Sequence, residues 1–567
     1  MNIVEITLFV IAVAGVISLG IWKSRADTSE QQGGAAQYFL AGRGLSWYLV
    51  GFSLIAANIS TEQFVGMSGK AADWLGMAIA SYEWMAAVTL VIVAFVFLPK
   101  FLKTGIYTAP EFLEYRYGAF SRMVMAVATL FILVGVPTAS VIYSGAKVIS
   151  GYYNDIWLIG SLSASCWLIA ALAAGYVFIG GLKACAWTDL IWGAALIIGG
   201  AIVAVLAFQA LGSADAVELA KTATLKTIDT AELQQAGAWD RFLLLNAGSA
   251  EEGGKLHMVR PLSDPEIPWS ALIVGLWIPN LFYWGFNQYI IQRTLGSKSL
   301  AEGQKGIVFA AFLKLLVPFV VVIPGILAFN LYHEQLLAAS GSGYDYDAAF
   351  PTLLRNLIKP YPWISWFVLA AIFGAIVSSL ASMLNSASTI MTMDVYRKIF
   401  KNAKDEHLPA VGRFWVVVFV VIAASIAPSL DSFGGIFTYI QEFQGFISSG
   451  IIAIFIFGML VPRAPRFLGW SGIVLNALLY GLIKWWLGPI IVDAGLWFAD
   501  EISFLDRMAI CFFIVCLYCA LMTWWKPLPE ALQLPENKDI DLRSSPMAKK
   551  FGIAVIILTS ILYVIFW

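Results

Sequence analysis

Residues 55–69 read "IAANISTEQFVGMSG". Five of the six positions 58–63 are polar (Asn58, Ser60, Thr61, Glu62 and Gln63), inside a stretch otherwise apolar enough to cross a membrane. A polar group in hydrocarbon is costly unless it is hydrogen-bonded. Irregular backbone at membrane depth is tolerated only where it is buried in protein or lines a cavity. The run therefore predicts an interrupted span whose break has a use.

The surrounding sequence fits a membrane setting. Of 567 residues 60% are hydrophobic and 13% charged, against roughly 25% charged in a soluble domain. Stretches of about 20 apolar residues, enough for a hydrocarbon core of roughly 30 Å, recur fourteen times: near 3–23, 46–69, 75–98, 121–149, 155–177, 185–210, 268–291, 305–331, 363–396, 411–429, 434–460, 467–486, 505–525 and 549–566. The fold class is an all-α integral membrane protein with about fourteen transmembrane helices. The first stretch lacks a basic leader and a small-residue cleavage site, so it reads as a retained span rather than a signal peptide.

Net charge is −1, which gives no global field for nucleic acid. Cys166 and Cys185 lie in or near spans, Cys511, Cys516 and Cys519 share one apolar helix, and His257, His333 and His407 fall in loops. No His or carboxylate clusters with the cysteines, which argues against a metal or disulfide role. Basic residues mark alternate loops as cytoplasmic, among them Lys100, Lys103 and Arg116, then Arg293 and Lys298, then Arg397, Lys398, Lys401 and Lys404. Fourteen spans then leave both termini outside a cell (inner) membrane. Residues 211–267 read as a long external connection.

The seventh span, "ALIVGLWIPNLFYWGFNQYIIQRTL", has Pro279 and Asn280 at its middle. Proline removes a donor and clashes one turn back, so a kink or unwinding is predicted there. This span lies five after the one with the polar run. Interruptions at corresponding places in two five-helix units point to an inverted-repeat transporter with its site at mid-membrane; an accidental kink is the alternative for Pro279 alone.

Ionisable groups inside spans are functional by default, and Glu62, Glu83, Asp189 and Lys314 qualify. Arg293 and Asp394, near span ends, read instead as snorkelling charges. Asn58 and Glu62 share one helical face and Gln63 turns to the next. With Glu83 in "IASYEWMAA" and Lys314 in "AAFLKLLVPF" they offer a carboxylate, an ammonium and amides, a lining suited to an uncharged polyhydroxylated ligand. A structural Glu to Lys tie between helices is the competing reading. In "GAIVSSLASMLNSAS", Ala375, Ser378 and Ser379 stand at i, i+3 and i+4, so hydroxyls and a carbonyl can face one point. They suit either a hard cation or close helix packing.

The segments "YFLAGRGLSWYLVGFSLIAANISTEQFVGMSG", "AIASYEWMAA", "IYTAPEFLEYRYG", "GGLKACAWTDLIW", "NLFYWGFNQYIIQRTLGSKSLAEGQKGIVFAAFLK" and "AAIFGAIVSSLASMLNSASTIMTMDVYRKIF" resemble, in order, the sodium/solute symporter family, within it the sodium/glucose and sodium/galactose cotransporters. The resemblance implies a five-plus-five inverted-repeat (LeuT-like) core: an extra first helix (3–23), a first repeat (46–210), the external loop (211–267), a second repeat (268–460) and additional C-terminal helices (461–567). It implies alternating access, with sodium as the co-transported ion and no organic cofactor. Its sodium site would use Ala56, Ile59 and Ala375 through carbonyls and Ser378 and Ser379 through hydroxyls. Its sugar site would use Gln63, Glu83, Asn280, Lys314 and Gln441, with Asn58 beside them. Tyr283 would gate the inside, Met67, Tyr82 and Phe437 the outside, and Asp189 would lie near the inner ion path. A monomer would suffice, with a dimer also open. Ala86 stands where the bacterial galactose cotransporters carry serine after "SYEWM", which leaves the choice of hexose open.

Other classes fit less well. A channel needs a continuous polar pore or filter ring, whereas the polar groups here cluster at one depth. A sensor would need a separate signalling partner, and an enzyme built on Glu83 and Lys314 has no nucleophile, metal set or oxyanion motif. A sodium symporter for another neutral polyol, such as inositol, or for another small solute is the nearest alternative.

Overall fold

The structure, a computed structural model, describes residues 3–26, 40–153, 160–226, 228–337, 343–433, 435–537 and 540–567, the side chains of 3, 24–26 and 178–184 excepted. Tyr38, Phe39 and the side chains of 180–184, in two of the segments quoted above, thus lie outside the described residues. Among them the regular structure is helical, with three isolated β-bridges.

We number the apolar helices in chain order: α1 (Val4–Lys23), α2 (Trp47–Asn58), α3 (Gly76–Thr104), α4 (Ala119–Tyr152), α5 (Leu162–Val177), α6 (Cys185–Ser213) and α7 (Ala271–Phe286). They continue as α8 (Leu300–Leu336), α9 (Pro362–Ile399), α10 (Asp405–Ser432), α11 (Ile436–Leu460), α12 (Leu468–Asp493), α13 (Phe504–Trp525) and α14 (Pro546–Ile565). Eleven are long and apolar enough to cross a membrane; α2, α5 and α7 are shorter, at 10–17 residues. Their mostly uniform apolarity is what a helix needs when protein covers one side and lipid the other. Tyr176 of α5 and Thr188 of α6 bring their hydroxyls to 2.6 Å, whereas twelve residues of straight helix rise roughly 18 Å. The two segments are therefore not one straight rod.

Serines start several helices where the pattern changes from polar to apolar. Ser299, Ser503 and Ser545 accept backbone N–H groups at 3.3, 3.0 and 3.2 Å, satisfying donors that a helix start leaves unpaired. Burial sorts the layers: 89% of the apolar window of α9 is enclosed, against 11% for α1 and 22% for α13 and α14. The terminal helices are thus peripheral to a core around α9, which packs on α6 and, near its middle, on α2.

Two spans are broken, and one break is misplaced by the sequence reading. Helix α2 stops at Asn58, Ile59 is extended (φ −78°, ψ 102°), and helix resumes at Thr61. In α7 the chain passes Pro279 without unwinding, because Pro279 falls in the first turn of the regular helix Trp277–Phe286, where N–H groups have no helical partner anyway. The irregular turns flank it: a wide turn at Ala271–Gly275, and a clean break at Asn287, whose extended backbone (φ −75°, ψ 123°) separates it from the helix Gln288–Leu295.

Candidate substrate and ion site

At the first break, Ser60 Oγ accepts the N–H of Glu62 at 3.2 Å, and Gln63 Oε1 accepts the N–H of Ser60 at 2.9 Å. This reciprocal arrangement is a capping box. It explains why Ser-Thr-Glu-Gln can stop and restart a helix inside an apolar span. Gln63 thereby commits its oxygen to the backbone and keeps its amide N–H groups for other partners.

Upstream of the break the α2 carbonyls face α9. Ser379 Oγ lies 3.3 Å from both the Ala56 and Ala57 oxygens, and Ser378 Oγ lies 3.4 Å from the Ala56 oxygen. Ile59 and Ala375 are buried alongside, each 1% exposed. Four oxygens from two helices so converge: two carbonyls of α2 and two hydroxyls of α9, the hard donor set an alkali cation takes.

Ser378 also donates to Asp189 in a short hydrogen bond. Asp189 accepts from Ser53 at 2.5 Å and from Arg293 at 3.3 Å, and Arg293 donates to Ser53 at 2.6 Å, to the Tyr289 carbonyl at 2.5 Å and to Ser382. The reading of Arg293 and Asp394 as snorkelling charges is overturned. Both are fully buried, Arg293 against Asp189 and Asp394 against Arg122 and Thr108. Buried charges persist only when paired and hydrogen-bonded, and both satisfy that condition.

Beyond the break lies a cavity of about 70 Å³. Asn58, Gln63, Glu83, Asn280, Lys314 and Gln441 all line it, as do Met67, Tyr82, Tyr283 and Phe437. Glu83 and Lys314 form a short ion pair across α3 and α8, and Lys314 Nζ sits 5.2 Å from the Trp284 ring. Asn280 Nδ2 donates to the Leu276 carbonyl at 3.0 Å. Asn58 Nδ2 donates to Tyr283 Oη at 2.8 Å, with Tyr289 edge-on to Tyr283 at 5.6 Å. Tyr82 and Phe437 meet edge to face at 4.8 Å, and Met67 lines the cavity with them. Gly66 permits the close approach of Phe437, since a Cβ there would come within 2.8 Å of Ile436 and 3.3 Å of Phe437.

Five polar side-chain atoms of this lining are buried and have no hydrogen-bond partner among the described residues: Asn58 Oδ1, Glu62 Oε1, Tyr82 Oη, Tyr289 Oη and Gln441 Oε1. Sequence reading did not single out Ser53, Ser382 or Gln444. Ser382 lies one turn beyond Ser378 in α9, Gln444 lies three positions after Gln441, and Ser53 stands as a lone polar residue in an apolar run, where a signal existed only as depth. Ala86 lines the cavity beside Glu83. Among the described residues no His, Cys, Asp and Glu group could hold a metal, and the five cysteines are free.

The model of the "Sodium:solute symporter family" matches residues 38–472. The chain is 38% identical to the sodium/glucose cotransporter of Vibrio parahaemolyticus, covering 100% of this chain and 99% of the relative. It is 30% identical to the human sodium/myo-inositol cotransporter over 84% of this chain and 66% of that one. The solved structure of a Na+-coupled sialic acid symporter in a substrate-bound outward-open state superposes with a TM-score of 0.71 at 20% identity, covering 94% of this chain and 99% of the other. That likeness shows a shared fold. The chain is a multi-pass membrane protein that belongs to the sodium:solute symporter family.

Proposed function

We propose that the protein couples inward sodium movement to uptake of a neutral sugar, a hexose such as glucose or galactose, by alternating access in the cell (inner) membrane. The observation that carries this reading is the set of five unpartnered buried polar atoms around one cavity. Three of them, Asn58 Oδ1, Glu62 Oε1 and Gln441 Oε1, are acceptor oxygens. Unpaired buried polar groups are costly, and a ligand carrying several hydroxyl donors satisfies all of them at once. Glu83, Lys314, Gln63 and Asn280 complete the hydroxyl-binding set, and a relative named for sodium and glucose supports the pairing of ion and solute.

Sodium binds between Ala56 and Ile59 of the first repeat (46–210) and Ala375, Ser378 and Ser379 of the second (268–460), with Asp189 beside it on the inner ion path. An ion bridging two repeats favours the arrangement that brings them together, so each ligand tightens the other by roughly 1–3 kcal/mol, reciprocally. Inward movement of one charge adds roughly 2.3 kcal/mol per 100 mV. Tyr283 releases the sugar on one side; Met67, Tyr82 and Phe437 admit it on the other. Both termini lie outside, and the monomer carries the whole site.

A second reading, uptake of a cyclic polyol such as inositol, has Ala86 in its favour, since a hydroxyl is missing from the lining, and so does the relative named for myo-inositol. Radiolabelled uptake into proteoliposomes across a panel of hexoses and inositols, with a sodium, potassium or proton gradient as the sole drive, tests both. Sodium-driven hexose uptake supports the proposal; uptake indifferent to sodium overturns it.

A further inference from the structure

Away from the transport site, a cavity of about 520 Å³ opens between α8 and α14, two helices apolar enough to cross a membrane. Its walls are Trp47 at the start of α2, Phe309 and Phe312 of α8, and Met547 and Phe551 of α14. Trp47, Phe312, Met547 and Phe551 are all exposed, from 38% to 59%. The volume falls in the range of ligand pockets, roughly 300–1,000 Å³, so this is a recess and not the shallow corrugation between any two helices.

Charge gathers at one end. Lys305 is the polar residue of the lining. Lys550 stands three residues after Met547 and four before Ala554, both of which line the cavity, so it shares their helical face. Lys549 is its neighbour, and both lysines are exposed. The nearby carboxylate, Glu302, has each oxygen engaged, one with Lys305 at 3.0 Å and the other with the Trp47 N–H at 2.9 Å. The linker before α14 closes this end, with the Ser545 N–H and the Ser544 hydroxyl both donating to Gln304 Oε1, at 2.8 and 2.9 Å. A carbon-lined recess ending in a cluster of lysines has the two halves of a phospholipid in mirror image. These lysines lie on the side that the basic loops mark as cytoplasmic, and that leaflet is the anionic one.

We propose that the recess is the seat of one anionic phospholipid of the cytoplasmic leaflet, an acyl chain lying along Phe309, Phe312 and Phe551 and the phosphate against Lys305 and Lys550. The lipid touches Trp47, the first residue of the helix that ends at the Asn58 break, and so reaches the element that carries Ala56.

The test uses the full chain purified in nonionic detergent and offered equal amounts of phosphatidylglycerol and phosphatidylcholine of matched chains, with bound lipid read by native mass spectrometry. The expected result is retention of phosphatidylglycerol over phosphatidylcholine at the first bound lipid. Lys550→Gln, a surface change, lowers that preference about fivefold, and Lys305→Gln with Lys550→Gln removes it. Lys550→Arg keeps it, and Ala554→Trp, which fills the recess, reduces retention of both lipids. Equal retention of the two lipids by the unaltered chain overturns the proposal, as does a preference that survives in the double variant.

Discussion

Asn58 Nδ2 donates to Tyr283 Oη at 2.8 Å, joining the residue at which one interrupted span stops to an aromatic on the other interrupted span. Both residues line the cavity, and the remaining amide oxygen of Asn58 has no partner among the described residues. Tyr283→Phe keeps the ring and removes the bond, which is worth about 1 kcal/mol. Sugar counterflow in proteoliposomes should then speed up while the apparent sugar affinity falls severalfold. An unchanged exchange rate would show that the bond does not hold the gate.

Ser379 is the hydroxyl best placed to share an ion with the freed carbonyls, at 3.3 Å from both Ala56 and Ala57 oxygens. Ser379→Ala should raise the sodium concentration for half-maximal uptake by about tenfold, in line with a coupling free energy of 1–3 kcal/mol. Ser379→Thr, which keeps the hydroxyl, should stay near the parent. Equal sodium dependence in the alanine variant, measured by uptake against sodium concentration, would remove Ser379 from the ion site.

Glu83 and Lys314 invite a sharper separation of structure from function. Both are buried and paired, so Lys314→Met leaves a lone carboxylate at membrane depth. The expected loss is about 3–5 kcal/mol, as for any broken buried pair, read as a lowered thermal midpoint in detergent. Combining it with Glu83→Gln removes both charges and should restore most of the stability. Sugar uptake should stay absent in the double variant; if it returns, the pair is only a tie between α3 and α8.

Gln63 makes a related case. Its oxygen caps the resumed helix through the Ser60 N–H, and losing a cap costs about 0.5–2 kcal/mol. Gln63→Glu preserves an oxygen for that cap and removes the amide donor facing the cavity. It should therefore fold like the parent, by size-exclusion profile and thermal midpoint, and fail in uptake. A Gln63→Glu variant that transports normally would assign Gln63 to the break alone.

The apolar spans and the polar run at 58–63 were legible because both are local: hydropathy fixes one, and the Ser60 to Gln63 capping box the other. What sequence could not supply was long-range partnership. Arg293 lies near a span end, a position that suggests snorkelling, yet its partners Ser53 and Asp189 are 240 and 104 residues away. Only folding shows that it points inward. Pro279 misled for a different reason. A proline breaks a helix only where its missing N–H would have been used, and in the first turn of Trp277–Phe286 it would not. The true break, at Asn287, carries no such mark in the sequence.

The segment joining α6 and α7 supplies a pH-dependent test. Lys255 is 8% exposed, its Nζ donates to the Ala72 carbonyl at 2.6 Å and lies 3.8 Å from the Phe329 ring, and its carbonyl accepts the Met77 N–H at 2.7 Å. Gly76, at φ +53°, makes room, since a Cβ would strike the Lys255 carbonyl oxygen. Burial pushes the Lys255 ammonium down to about 7 from 10.5, with Asp73 opposing only weakly. When the segment opens, the amine returns to water and its ordinary value, so between pH 7 and 10.5 the open form binds a proton that the packed form does not. Packing therefore strengthens as pH rises through that window and is weakest below pH 7, where the buried ammonium is charged in both forms. Protection of the Met77 amide against hydrogen exchange, corrected for the intrinsic rate, should rise by up to about tenfold per pH unit above 7, the limit for one linked proton. The neutral amine keeps a donor for Ala72, so that contact survives deprotonation. Lys255→Met should flatten the profile at the high-pH level of protection. The same slope in Lys255→Met would assign the dependence to another group.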